Sequence, residues 1–233
     1  MTVFLTLLAC GSVPSTAADV DPLANSSRVA TLPFYDSAEF TPRWHQPNEL
    51  PADFHHIPDF ALTNQHGEAV TQAEMDGQIT IVNFFFASCT GICPRLSEAM
   101  LRVDHELAQD GILLLSHSVT PDTDTPEVLS KFAAEKGIDS ERWYLLTGDQ
   151  TLIYSLGRAS YFVEEDLGEK KGLTEFLHTE NIVLVDGDRH IRGIYNGLNR
   201  ASVTQLIADV GTLRSHKEFS QSATVLPRHH PPT

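Results

Sequence analysis

Cys89 and Cys93 lie four positions apart and are the residues best suited to chemistry. The apolar run Ile79–Phe86 before them is typical of a buried strand. The stretch that starts at Pro94 predicts a helix, because proline fits the first helical turn. The cysteines are therefore expected between the carboxyl end of a strand and the amino end of a helix. Unpaired N–H groups and the helix dipole stabilise a thiolate there, and a thiolate is both a nucleophile and a ligand for soft metals.

The spacing Cys-x-x-x-Cys is one residue longer than the Cys-x-x-Cys pair of thioredoxin-type redox motifs. Residues i and i+4 of a helix share a face, so two sulfur atoms placed there can chelate one ion. They can also close a disulfide if the first helical turn relaxes. A thiolate pair favours Cu(I), and an added imidazole makes Cu(II) and Zn²⁺ acceptable. The remaining interpretation is that both cysteines are buried as small apolar side chains.

Two sulfur atoms leave a copper site short of ligands, so we expect a third ligand among the 11 histidines. His117 ends the strand that follows the cysteine helix, where it can act as a ligand or as a polar core residue. His178 precedes a terminal hairpin, in the loop that faces the cysteine motif in a thioredoxin-like fold, and we favour it. The others, which fall near the termini, in turns or away from the motif, are His45, His55, His56, His66, His105, His190, His216, His229 and His230.

The composition suits one globular domain with extra length at its ends. The chain has 233 residues, of which 41% are hydrophobic. Its formal net charge of −15 argues against binding to nucleic acid, whose phosphates it would repel. Only 3 cysteines are present, which excludes a framework of several disulfides.

Cys10 predicts attachment to a membrane by a lipid. Residues 7–11, Leu-Leu-Ala-Cys-Gly, resemble a bacterial lipoprotein processing site, and the alternative is an incidental cysteine. The apolar stretch before Cys10 is short and carries no Lys or Arg, so we expect the true start of the signal to lie upstream. Acylation of Cys10 would leave Cys89 and Cys93 as free thiols in an oxidising compartment outside the cytoplasm. No other stretch approaches the roughly 20 apolar residues of a spanning helix.

The predicted elements follow the order ββ-α-β-α-β-α-ββ-α, which is an α/β arrangement. We predict a thioredoxin-like fold in which helices flank a central mixed sheet, with an N-terminal hairpin and an insertion. The predicted strands are 59–63, 69–71, 79–86, 111–119, 143–147, 181–185 and 191–195, and the predicted helices are 94–109, 125–137, 149–158 and 202–217. The predicted regions are a signal segment (1–10), a tether and extended arm (11–54), the thioredoxin-like domain (55–217) and a disordered tail (218–233).

Three segments together resemble the Sco/SenC family of copper chaperones. They are Phe84–Pro94, Leu115–Pro126 and Leu177–Asp188. The resemblance runs from about Leu32 to the last helix. It implies a thioredoxin-like fold that binds copper through the two motif cysteines and a distant histidine. Carried over by position, the implied copper ligands are Cys89, Cys93 and His178.

The chain departs from the family pattern inside the cysteine motif. Many members have an acidic residue there, whereas this chain has Thr90-Gly91-Ile92. The acidic Asp-Thr-Pro region of the family matches Asp122 and Asp124 with the two residues that follow. We expect a supporting or docking role for these acidic residues, and plain helix capping is the alternative for Asp124.

The resemblance implies a metallochaperone rather than an enzyme that turns over a substrate. Such a protein would deliver copper, as Cu(I) or Cu(II), to an apo subunit of a respiratory oxidase, with a thiol reductase as a second partner. It would be anchored by the Cys10 lipid on the periplasmic side of a bacterial membrane. The alternative is a thiol–disulfide oxidoreductase that uses Cys89 and Cys93 to reduce the recipient's cysteines. A thiol peroxidase is disfavoured, because Phe86 stands where such enzymes usually place threonine.

Overall fold

A computed structural model describes residues 31–45, 49–89, 91, 93–163, 177 and 179–224 of the chain. Two of the predicted site residues, Cys10 and His178, lie outside the described residues. The predicted signal segment and residues 225–233 of the predicted tail also lie outside them.

The described residues form strands and helices in the order that the sequence predicts. In chain order they are β1 (Ala61–Thr63), β2 (Ala69–Thr71), β3 (Thr80–Phe85), α1 (Cys93–Glu106), β4 (Leu113–Ser118), α2 (Pro126–Lys136), β5 (Trp143–Leu146), α3 (Gln150–Ser155), β6 (Asn181–Val185), β7 (Ile191–Asn196) and α4 (Arg200–Thr224). A 3-10 turn, Gln72–Glu74, follows β2, and a π-helical segment, Leu156–Ser160, continues α3. Helix α4 continues past its predicted end at Lys217.

The main sheet has the strand order β5-β4-β3-β6-β7 and is mixed, as predicted. Strand β3 lies at its centre, parallel to β4 and antiparallel to β6. Strands β1 and β2 form the predicted hairpin. Every residue of β3 is buried, so the chain emerges from the interior only after Phe85. The cysteine motif follows at that point.

Alternate residues of β3 contribute to two different cores, because successive side chains of a strand point to opposite faces of the sheet. Ile81 and Phe85 pack with residues of α1, α2 and α4. Val82 and Phe84 pack with residues of the β1–β2 hairpin, α3 and the π-helical segment. The sheet is thus covered on both faces, and the cysteine motif follows the carboxyl end of its central strand, β3.

Local capping signals account for the ends of two helices. Thr125 is the N-cap of α2, with Pro126 in the first turn, and Gly137 ends the helix with a left-handed φ of 72°. Asp149, the first residue of the predicted helix 149–158, caps α3. The alternative of plain capping by Asp124 is not observed, because Thr125 occupies the N-cap position of α2.

The last helix, α4, packs along the core on the side of α1. Val203, Leu206 and Val210 of this helix are buried in that core. Among the helices that the structure describes, none combines the length and the apolar character needed to cross a membrane.

Gly157 allows close packing between the π-helical segment and the region of the cysteines. A Cβ atom at this position would lie 2.7 Å from Cδ2 of Leu177 and 3.2 Å from Cε1 of Phe84. Both neighbours are buried. The absence of a side chain at Gly157 therefore lets Leu177 pack against the sheet beside β3.

We expect Gly157→Ala to lower the free energy of unfolding by about 1–3 kcal/mol, the usual cost of overpacking a core. Gly211→Ala in α4 is the matched control, since no atom lies within 4 Å of its Cβ position. This control should raise stability by up to about 1 kcal/mol, because alanine is the better helix former. Urea unfolding of both variants measures the difference. A Gly157→Ala variant as stable as the control would contradict the packing argument.

Candidate functional site

The two cysteines lie in and after the turn that leaves β3. Cys89 is half-buried, and its N–H donates to the carbonyl oxygen of Phe86 at 3.3 Å, which closes a four-residue turn. Cys93 is buried and is the first residue of α1. This is the placement that the sequence predicts, between the end of a strand and the start of a helix.

Neither Cys89 nor Cys93 forms a disulfide, and the two thiols differ in environment. Burial raises the pKa of Cys93 to about 12, and a hydrogen bond with Cys89 acts in the same direction. The backbone N–H groups of Phe86, directly after β3, and of Cys93 favour the thiolate, but their effect on the pKa is the smaller one. The sequence-based expectation of a stabilised thiolate therefore does not hold at Cys93. A metal ion must displace its proton to bind, so binding is expected to release protons.

A cavity of about 330 Å³ opens beside the cysteine pair. It is lined by Phe84, Phe85, Phe86, Ser88, Cys89, Gly91, Cys93, Val119, Leu177 and Thr179. Most of these side chains are apolar. Leu177 and Thr179 belong to the segment before β6, so the cavity joins this segment to the cysteine motif. His178 stands between them in the sequence and lies outside the described residues.

His117, the rival ligand, is a core residue on β4. Its side chain is fully buried and stacks on Phe84, with the ring centroids 5.0 Å apart. Tyr161 packs against it at 5.7 Å. Neither ring nitrogen has a hydrogen-bond partner among the described residues, and burial lowers the pKa of His117 to about 3. His117 does not line the cysteine cavity. Its surroundings match a packing role in the core, which was the alternative to a ligand role.

The two acidic residues of the Asp-Thr-Pro region differ in burial. Asp122 is exposed, whereas Asp124 is only 1% exposed. The carboxylate of Asp124 accepts a hydrogen bond from the N–H of Ala87, two positions before Cys89. Sequence reasoning did not predict this contact. The available signal was an acidic residue close to the end of β4, with Ser118 and Thr120 as nearby donors.

A second group of possible ligands, Asp186, Asp188 and His190, lies in the turn between β6 and β7. Asp186 already accepts hydrogen bonds from Arg192 and from the N–H groups of Asp188 and His190. His190, which the sequence analysis set apart from the favoured ligands, is half-buried, with its ring 5.7 Å from that of Phe34. These contacts stabilise the turn between β6 and β7, and they account for the closeness of the three side chains.

The family follows from a direct match. The model of the SCO1/SenC family matches residues 48–214, which contain β1 through β7 and both cysteines. The chain belongs to the SCO1/SenC family. The resemblance noted in the sequence is thereby confirmed.

Individual SCO1/SenC relatives show the same extent of similarity. The SCO1 protein homolog of Bacillus subtilis (strain 168) is 28% identical over 157 residues, which cover 66% of this chain and 80% of the relative. BsSco, described as a member of the Sco family of cytochrome c oxidase assembly proteins, matches in structure with a TM-score of 0.58 and 27% identity, over 68% of this chain and 93% of BsSco. ScoI of Bradyrhizobium japonicum, solved with copper bound, has a TM-score of 0.51 and 27% identity, over 68% and 99% of the two chains. These matches confirm the predicted thioredoxin-like fold.

The burial of His117 predicts a loss of stability in acid. Its pKa is about 3 in the folded protein and about 6.5 in the unfolded chain. As the pH falls from about 6.5 towards 3, the unfolded chain binds the proton first and is favoured. Between about pH 7 and pH 4 the loss is about 2–4 kcal/mol, at about 1.4 kcal/mol per pKa unit. Above about pH 7 the histidine is neutral in both states and contributes no pH dependence.

His117→Phe removes this titration and keeps an aromatic ring in the cluster. The variant should lose less stability than the wild type between about pH 7 and pH 4, which urea unfolding at several pH values measures. His66→Ala, at an exposed turn position, is the control and should follow the wild type. Parallel pH curves for His117→Phe and the wild type would contradict the prediction.

Proposed function

We propose that this protein delivers copper, held by Cys89, Cys93 and His178, to the copper centre of a respiratory oxidase subunit. The observation that carries the proposal is the cavity that the two cysteines share with Leu177 and Thr179. These two residues flank His178 in the sequence. A histidine at that position needs little chain length to reach the sulfur atoms.

The donor set favours copper over zinc. Two thiolates and one imidazole suit Cu(I) and tolerate Cu(II). Structural zinc sites usually have four protein ligands. Among the described residues that line the cavity, no carboxylate or further imidazole is present to supply a fourth ligand. The copper-bound relative from Bradyrhizobium japonicum supports the same assignment.

The two thiols have different proposed roles in transfer. Cys93 is buried at the start of α1 and retains the ion until the end of the exchange. Cys89 is half-buried on the turn, next to exposed residues such as Ser88, so a ligand of the recipient reaches it first. Copper then passes by stepwise exchange of ligands, without change of charge on the ion. The recipient is proposed to be an oxidase subunit because BsSco belongs to a family of cytochrome c oxidase assembly proteins.

A second candidate function is thiol–disulfide exchange, favoured by the same pair of cysteines, which are in the reduced state. The Cys89 thiolate attacks a disulfide of the recipient and forms a mixed disulfide, and the recipient's leaving sulfur departs as a thiolate. Cys93 then loses its proton, attacks Cys89 and releases the second recipient thiolate. The recipient gains two electrons, and the Cys89–Cys93 disulfide must be reduced again by a dithiol reductase. A disulfide switch has been identified in the relative BsSco, and this supports a redox role for the cysteine pair.

We also propose that the protein is anchored in the cell envelope through a lipid on Cys10, facing the periplasm. The support is the processing-site pattern in residues 7–11. In this arrangement residues 11–54 connect the anchor to the thioredoxin-like domain.

Copper titration of the reduced full chain tests the ligand set. We expect one copper per chain, with a thiolate-to-Cu(II) absorption band when Cu(II) is used. Cys89→Ser and Cys93→Ser should each shift or abolish the thiolate-to-Cu(II) band. Each should also weaken copper binding at least about 100-fold, because each removes a thiolate ligand of the ion. His178→Ala should weaken binding at least about tenfold, and His66→Ala is the matched control. Unchanged stoichiometry and an unchanged band in His178→Ala would contradict the three-ligand site.

Oxidase assembly in cells that carry His178→Ala separates the two functions. Copper delivery requires the imidazole, so oxidase activity should fall towards that of cells lacking the protein. Thiol–disulfide exchange needs only the cysteines, so a normal level of assembled oxidase in His178→Ala cells would favour the reductase instead. Cells with Cys89→Ser should be deficient under either function and serve as the reference.

A further inference from the structure

Asp124 holds together three parts of the chain that meet beside the cysteines. Its Oδ2 atom accepts hydrogen bonds from the N–H of Ala87 at 3.0 Å, the hydroxyl of Ser118 at 2.6 Å and the hydroxyl of Thr120 at 3.0 Å. The side chain thus connects the segment after β3 to the end of β4, just before α2. With 1% exposure, the carboxylate depends on these donors in place of water.

The contact with Ala87 reaches the turn that carries Cys89. The hydrogen bond from the Cys89 N–H to the Phe86 carbonyl closes this turn, and Ala87 is its second residue. Ser88 and Gly91, which lie on either side of Cys89 in the sequence, are exposed. Cys93, by contrast, is fixed by the burial of α1. A backbone hydrogen bond of Phe86 to the Cys93 sulfur ties the turn to the start of α1, and the Asp124 contact ties the turn to the end of β4.

Two ordinary explanations for a buried aspartate do not apply at Asp124. Helix capping is provided by Thr125. No Lys or Arg in the part of the chain that the structure describes forms an ion pair with Asp124. A buried carboxylate without a cation is costly unless it is hydrogen-bonded, and its bonds to neutral donors are about twice as strong as those of a neutral acceptor. The three hydrogen bonds to Oδ2, among them the one from Ala87, offset this cost.

We propose that Asp124 is a positioning residue for the cysteine pair. Its carboxylate fixes the Phe86–Cys89 turn and so sets the distance and orientation of the Cys89 sulfur relative to Cys93. The proposal rests on the proposed function only in taking this pair as the working site. It holds equally for a copper ligand pair and for a disulfide-forming pair.

Asp124→Asn tests the proposal, because asparagine keeps the shape and one acceptor but removes the charge. Asp122→Asn is the matched control, since it removes the same charge from an exposed position in the same loop. In the reduced, copper-free chain we expect the Ala87 amide hydrogen to exchange about tenfold faster in Asp124→Asn, from the loss of a charge-assisted bond. We expect Asp122→Asn to match the wild type.

The equilibrium between the Cys89–Cys93 disulfide and glutathione supplies a second readout that involves no copper. A displaced Cys89 changes the effective concentration of one thiol at the other, so we expect a shift of at least about threefold in Asp124→Asn and none in Asp122→Asn. With Cu(II) added, the thiolate-to-copper band should move in Asp124→Asn alone. A merely structural aspartate would lower stability without moving the band or the disulfide equilibrium in the folded protein.

Unchanged Ala87 exchange and an unchanged disulfide equilibrium in folded Asp124→Asn would overturn the proposal. If Asp124→Asn does not fold, Ser118→Ala is the second variant, because it removes one donor to the same carboxylate without touching the turn. It should speed Ala87 exchange by about threefold, and no change would overturn the proposal. If the wild type binds no copper, the proposed copper delivery fails, while the exchange and disulfide measurements still decide the role of Asp124.

Discussion

The complete burial of β3 is the constraint on which the site depends. This strand is paired on both sides and buried at each of its residues, so the backbone emerges abruptly after Phe85. The turn that follows must present one thiol near solvent and deliver the other to the buried first turn of α1. Core packing holds Cys93, whereas Cys89 depends on polar contacts. This division explains why a buried carboxylate, Asp124, lies beside an otherwise apolar site.

The unequal burial of the two sulfur atoms has a chemical consequence for any ligand or partner. Burial favours the protonated thiol of Cys93, and this thiol is also hydrogen-bonded to Cys89. Binding of a soft metal ion or formation of a disulfide both remove that proton, so the two activities compete for one pair of sulfur atoms. A third ligand from the segment at Leu177 and Thr179 would favour the metal, because the disulfide makes no use of it.

Local features of this fold were predictable from the sequence, and long-range ones were not. Strand β3 lies within the predicted strand 79–86, and the caps Thr125, Gly137 and Asp149 stand at limits of the predicted helices, because these features depend on neighbouring residues. The Asp124–Ala87 contact spans 37 positions and arises only when β3 and β4 pair. The pKa of Cys93 also depends on tertiary burial, which outweighed the local effect of the helix start. The position of His117 at the end of a strand left open both a ligand role and the more favoured packing role, and its burial against Phe84 supports the packing role.

The central claim is that copper is held by two thiolates and one imidazole, from Cys89, Cys93 and His178. Cu K-edge X-ray absorption of the reduced full chain, loaded with one equivalent of Cu(I), tests it most directly. We expect the copper ion to be coordinated by two sulfur atoms and one imidazole nitrogen, with the nitrogen scattering lost in His178→Ala. A shell made only of sulfur atoms, or one that is identical in His178→Ala, would contradict it.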